Sequence, residues 1–244
     1  MGTKWKTAIS QHKNGELYIR GHALTDLMEC MTFPEAVFLM FGERLPTPQE
    51  LELFNMMLVS AIEHGVEAPS AFSARVSASV GNPLHVAAAA GLLSVGQWHG
   101  GAIEQAAKYF ESKESPADIV AEVLAAKKRF PGFGHVIYKD KDPRAEALLT
   151  KAKELGIAGE YTARAKKCES ELEKQSGKHL PINIDGTLAA LLLELKFDSG
   201  LGNAFFVLAR LPGIIAHAHE EQKNEKPYRR LESSDIEYQG PAPN

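Results

Sequence analysis

Four stretches of this chain start a helix in much the same way. Thr32-Phe33-Pro34-Glu35, Thr47-Pro48-Gln49-Glu50, Ser115-Pro116-Ala117-Asp118 and Asp142-Pro143 each place a capping oxygen just ahead of a proline. The oxygen accepts from first-turn N–H groups that have no partner inside the helix, and proline is tolerated where no N–H is needed. Glu35 and Glu50 also stand where a capping box needs them, three residues after the cap. The chain is therefore punctuated as a series of helices. Only residues 5–21 offer a strand pattern, an Asn14-Gly15 turn followed by alternating Leu17 and Ile19. The predicted fold class is all-α with a short N-terminal β-hairpin.

Periodicity fills in the helices. The first cap opens an apolar helix over 36–41, stopped by Gly42. The second opens one with Leu51, Phe54, Leu58 and Ile62 on one stripe, ending at His64-Gly65. Residues 84–95 are apolar nearly all round, which predicts a helix buried on every side, in a packed centre or a subunit interface. Its small side chains allow close backbone approach. A helix follows Gly100-Gly101, residues 161–175 read as a solvated helix, and Leu188–Leu195 as an apolar one. The run from Phe205 to His217 is predicted to break at Pro212-Gly213, and the last twenty-odd residues to form a polar arm.

Composition narrows the function classes. A net charge of −4 with no basic run excludes nucleic acid as the expected partner. Two cysteines, Cys30 and Cys168, with no CxxC pattern, argue against a disulfide scaffold or a zinc site. They fit a reducing compartment. The polar segment Met1–Arg20 does not read as a signal peptide, and the apolar runs, broken as above, fall short of a membrane span. A cytoplasmic protein with no membrane partner and no metal is the expectation.

Titratable groups cluster with glycines in four places. His99 precedes Gly100-Gly101 and a helix start, where the helix dipole disfavours a charged imidazole. A neutral ring there can donate to an enolate oxygen, or His99 merely caps the helix. His135 closes Gly132-Phe133-Gly134-His135 and leads to Asp142-Pro143-Arg144. Arg144, in a first helical turn, suits a carboxylate, or is a solvated surface arginine. Asp185 sits between apolar segments, which suits a general base, or is the N-cap of the next helix. Arg210 lies inside an apolar helix and needs an anion, either a structural carboxylate or a substrate. His64 stands in the fourth segment, Ala61–Gly65, and Arg229-Arg230 alone is a weak signal.

In order and spacing these segments resemble the citrate synthase superfamily. Residues 132–145, Gly-Phe-Gly-His-Val-Ile-Tyr-Lys-Asp-Lys-Asp-Pro-Arg-Ala, are close to its long signature. His99-Gly100-Gly101-Ala102, Asn183-Ile184-Asp185, and Ala209-Arg210 through Ala216-His217 match further family segments. Two features depart from ordinary synthases: the chain is short, and Gly186-Thr187 follows Asp185 where synthases carry an aromatic pair. Both resemble citryl-CoA lyase and the C-terminal module of ATP-citrate lyase. The latter usually lacks a histidine at position 99, so the stand-alone lyase is the closer resemblance.

The resemblance implies a citrate synthase-like fold, with a large domain of 1–102 and 203–244 and a small domain of 103–202. It implies retro-Claisen cleavage of citryl-CoA to acetyl-CoA and oxaloacetate. A short citrate or 2-methylcitrate synthase and a non-catalytic binding subunit are the alternatives. By the same resemblance Asp185 exchanges a proton with the acetyl carbon, and His99 holds the enolate oxygen. His135 takes the hydroxyl proton of the other half, whose hydroxyl and carboxylates His64, Arg144, Arg210 and Arg230 bind, Arg230 from a neighbouring subunit. Gly132, Phe133 and Gly134 border coenzyme A, with Lys139 and Lys178 for its phosphates. No permanently bound cofactor is implied, coenzyme A being a substrate. A homodimer and a separate citryl-CoA synthetase are the implied partners.

Overall fold

The computed structural model describes residues 4–242. The segment that reads as a hairpin is a three-stranded antiparallel sheet, β1 (Ser10–Lys13), β2 (Glu16–Ile19) and β3 (His22–Ala23), in that order. Lys13 pairs with Glu16, so Asn14-Gly15 is a two-residue turn, and both residues have positive φ, 53° and 82°. That conformation is why Asn-Gly is favoured there. Arg20-Gly21 repeats the device, at 48° and 89°, and adds the third strand.

Eleven α-helices follow among the described residues. They are α1 (Leu24–Cys30), α2 (Phe33–Gly42), α3 (Pro48–Ser60), α4 (Pro69–Ser79), α5 (Leu84–Leu93), α6 (Ala102–Glu111), α7 (Pro116–Ala125), α8 (Pro143–Glu154), α9 (Glu160–Ser176), α10 (Ile184–Glu194) and α11 (Gly202–Asn224). All four predicted starts are helix starts. The Glu35 carboxylate accepts from the Thr32 N–H at 2.7 Å, and Glu50 from the Thr47 N–H at 2.8 Å. The Ser115 and Asp142 side chains accept from the N–H groups of Asp118 and Arg144.

By packing, the chain divides into two compact units. One takes residues up to 61 with 100–209; the other takes 62–99 with 210 onward.

In the first unit α10 is buried from Gly186 to Leu193 and packs against α6 and α9. Phe38, Phe54, Phe197 and Phe205 form an aromatic cluster with centroids 4.9–5.6 Å apart. In the second unit α4 and α5 meet through Ala74, Ala78, Ala87 and Ala88, with Ile214 and Ala218 of α11. A Cβ on Gly91 would stand 2.7 Å from the Ser70 carbonyl, so glycine is what lets α5 lie directly on α4.

Several sequence expectations are corrected. Gly42 does not stop α2; it is the last helical residue, held by contact with Phe38 and Phe197, and Glu43 makes the left-handed turn at φ 60°. Helix α3 ends at Ser60, not at His64-Gly65, and its stripe runs through Leu53, Phe54 and Met57. In the chain by itself α5 is not buried all round, because Val86 and Leu93 are exposed. Helix α11 runs straight through Pro212-Gly213. Unbroken, it is long and apolar enough to cross a membrane by length and composition. Yet Phe205 sits in the first unit's aromatic cluster and Ile214 in the second unit's core. Its buried Arg210 and Glu221 would also be costly in hydrocarbon.

Candidate active site

In the first unit a glycine loop is pinned to the start of α10. Gly132 and Gly134 have φ of +84° and +76°, values that favour glycine. Phe133 forms an isolated β-bridge with Ile182. The Gly134 N–H donates to the Pro181 carbonyl at 2.8 Å, and the Asn183 N–H to that of Gly132 at 3.0 Å. A Cβ on Gly132 would stand 2.6 Å from the Gly186 Cα, so the two backbones touch. Asn183 is the N-cap of α10: its Oδ1 accepts from the N–H groups of Asp185 and Gly186, while its Nδ2 donates to the Gly134 carbonyl at 2.9 Å. Asp185 is therefore not the cap. It is the second residue of the helix, on a backbone hydrogen-bonded to the loop that carries His135.

His135 is held by its own loop. Its Nδ1 accepts from the N–H groups of Ile137 and Tyr138, at 3.0 and 3.2 Å, and its ring lies 4.7 Å from that of Tyr138. Two donors at Nδ1 leave the proton of the neutral ring on Nε2. Arg144 Nη2, 3.5 Å from Nε2, would prefer it bare, but the two shorter contacts decide. In this geometry His135 offers its Nε2–H as a donor. Burial, and then the Arg144 charge, push its pKa below the usual histidine value.

Asp142 links this loop to α10. Its carboxylate accepts from Arg144 Nε and Nη2, at 3.0 and 2.8 Å, and from the Ile184 N–H at 3.1 Å. Burial favours its neutral form, but the Arg144 hydrogen bonds and charge outweigh that and keep its pKa low. Lys139 Nζ donates to the His135 carbonyl at 3.2 Å, and Lys178 is exposed.

The second unit holds His64, His99 and Arg210. His99 does not cap α6: the N-cap is Gly101, and His99 Nε2 pairs with Ser70 Oγ at 2.8 Å. Its pKa is depressed by burial first, then by the charges of Arg210 and His64, rather than by a helix dipole. Arg210 is 6% exposed on α11. His64 lies in the loop after α3. There Glu63 accepts from the Gly65 N–H at 2.6 Å and pairs with His217 Nε2 at 2.8 Å. Burial pushes the Glu63 pKa up, but the Gly65, His217 and His64 hydrogen bonds bring it to about 2. A Cβ on Gly213 would stand 2.4 Å from the Ile62 carbonyl, so the glycine lets α11 run against this loop. Arg230 is exposed on the arm after α11.

The first unit thus gathers Gly132, Phe133, Gly134, His135, Lys139, Arg144 and Asp185, and the second gathers His64, His99 and Arg210. Ser70, fully buried, was not foreseen. Asp142 was foreseen only as a cap, and Glu63 with His217 not as a pair.

Residues 46–231 match the family model described as citrate synthase, C-terminal domain. The chain belongs to the citrate synthase family. Its members among the relatives below are enzymes of the lyase and transferase type. A solved citryl-CoA lyase from Hydrogenobacter thermophilus superposes with a TM-score of 0.93 at 45% identity, covering 98% of this chain and 96% of that one. An ATP citrate lyase from Methanothrix soehngenii, solved with citrate and coenzyme A, gives 0.88 at 25% identity, over 99% of this chain and 42% of that one. A citrate synthase of Synechocystis sp. is 35% identical over 198 residues, 78% of this chain and 50% of that protein. The chain spans about half the length of the curated relatives it matches.

Proposed function

We propose that this chain is a citryl-CoA lyase, cleaving citryl-CoA to acetyl-CoA and oxaloacetate. The observation that carries this reading is the likeness to the Hydrogenobacter lyase, at 45% identity and a TM-score of 0.93, against 35% identity to the Synechocystis synthase. The Gly186–Gly132 contact supports it, since any side chain after Asp185 would strike the loop.

In this reading citryl-CoA reacts as its C3 alkoxide, which the Nε2–H of His135 and the Arg144 cation stabilise. As the carbon–carbon bond breaks, His99, kept neutral by its surroundings, donates to the thioester enolate oxygen. Asp185 in its acid form then protonates the carbon. The hydroxyl proton passes to solvent and solvent reprotonates Asp185, so that one proton leaves the hydroxyl and one arrives on carbon. His64, Arg144, Arg210 and Arg230 bind the hydroxyl and carboxylates. Gly132, Phe133, Gly134, Lys139 and Lys178 border coenzyme A. Residues 103–202 form the smaller domain, and 1–102 with 203–244 the larger. The enzyme works in the cytoplasm as a homodimer and receives citryl-CoA from a separate synthetase. The dimer is supported by the apolar face that the second unit presents at Phe72, Val86, Leu93 and Trp98.

The test is a product assay on synthetic citryl-CoA, following oxaloacetate and free coenzyme A together, with Asp185→Asn beside the natural chain. Oxaloacetate without free coenzyme A, lost in Asp185→Asn, is the expected result. Citrate with free coenzyme A would instead make the chain a short synthase, and neither product a binding subunit.

A further inference from the structure

Six charged or titratable groups of the second unit form one continuous line. His217 Nε2 pairs with Glu63 at 2.8 Å, and its Nδ1 lies 4.0 Å from Glu220. Glu220 pairs with Arg75 Nη1 at 2.9 Å. Arg75 Nε meets Glu221 at 2.7 Å, and Arg229 Nη2 meets the same Glu221 oxygen at 2.7 Å. The Arg229 backbone is tied down too, its N–H donating to Ser79 Oγ at 3.1 Å. The middle is deeply buried, with side-chain exposures of 10% for Arg75 and 0% for Glu221.

Glu220 and Glu221 lie three and four residues after His217, on one face of α11. Each end of the line touches a residue next to a proposed substrate ligand. Glu63 precedes His64 and accepts from its N–H. Arg229 precedes Arg230, which stands exposed in the stretch between α11 and a short 3-10 helix at Ser233–Asp235. Residues 225–232 lie in no helix or strand that would fix their course, so the Arg229 contacts set where Arg230 can reach.

We infer that this line of charges is a positioning device, fixing His64 for the chain's own site and Arg230 for its neighbour's, and so setting the affinity for the carboxylate-bearing substrate. The inference rests on the proposed role of those two residues as substrate ligands. Arg75, Glu221 and Arg229 are then positioning residues that touch no substrate.

Oxaloacetate binding by calorimetry, with melting curves, tests it. Arg229→Ala leaves the buried Arg75–Glu221 pair in place, and Glu220→Gln cuts the line at a half-exposed joint. Each is expected to weaken oxaloacetate by about tenfold, the size of one misplaced charge-assisted contact. Coenzyme A affinity should not change, and Arg229→Lys should recover most of the loss. Adding Arg229→Ala to Arg230→Ala should weaken binding no further than Arg230→Ala alone. The inference is overturned if Arg229→Ala binds oxaloacetate normally while Arg230→Ala does not, or if the two losses multiply. A melting point lowered by more than roughly 10 °C in Arg229→Ala would mark a mere scaffold and overturn it as well. Normal binding by Arg230→Ala would remove the substrate role of Arg230 itself, a failure distinct from the others.

Discussion

Ser70 and His99 are 29 residues apart and share one hydrogen bond. Ser70 is fully buried in the first turn of α4, so its hydroxyl holds one ring nitrogen of His99 in a fixed direction. If His99 holds the enolate oxygen, Ser70→Ala should loosen it without emptying the site. A net hydrogen bond of roughly 0.5–1.5 kcal/mol corresponds to a kcat loss of about two- to tenfold. KM should be unchanged and the fold intact, and an unchanged kcat in steady-state assays would count against the pairing. The same rings fix a pH response. Burial and neighbouring cations lower the pKa of both His99 and His135. Both are therefore neutral at pH 7, and the activity that depends on them is lost as pH falls through their depressed values. The acid limb of kcat/KM should lie below ~6.5, the ordinary histidine value. A limb above that would show that the working rings are not in these surroundings.

At the scale of elements, the glycine loop and α10 behave as one piece. A Cβ on Gly186 would stand 2.4 Å from the Gly132 carbonyl oxygen, backbone against backbone, with no flexible side chain to yield. Gly186→Ala should therefore part the His135 loop from the Asp185 turn. Overpacking of this kind costs about 1–3 kcal/mol, visible in a denaturant melt, and turnover should fall much further than stability. Full activity in the variant would show that the two segments need not touch. The helix starts were legible because a cap oxygen and a proline act within four residues. The start of α10 was only half legible: Asn183 and Asp185 are both good caps, two residues apart, and the contacts of Asn183 with the loop decide between them. The continuity of α11 was not legible, since an internal proline ordinarily costs ~3 kcal/mol. Here Gly213 lets the helix pack on the Ile62 carbonyl, a contact no local pattern announces. The individual site residues could be picked out from motif and resemblance. Pairs such as Arg75 and Glu221, 146 residues apart, could not.

For the whole molecule, the question is what covers the outer face of α4 and α5. Phe72 and Leu93 are 54% and 86% exposed there. Burying one such side chain is worth about 1.5–3 kcal/mol, so a second copy on this face would be held by a few of them. The sequence reading of α5 as buried on every side fails for one chain and would hold for two. Arg230 gives the pairing a catalytic meaning, because the resemblance has it serve a neighbouring subunit. Leu93→Glu places a charge on this face and leaves the cores of both units alone. In light scattering the variant should run as a monomer and the natural chain as a dimer. Its oxaloacetate affinity should fall as in Arg230→Ala, because no neighbour remains to supply the arginine. A Leu93→Glu protein that stays dimeric would move the interface elsewhere on the molecule. One that is monomeric yet binds oxaloacetate normally would return Arg230 to the chain that carries it.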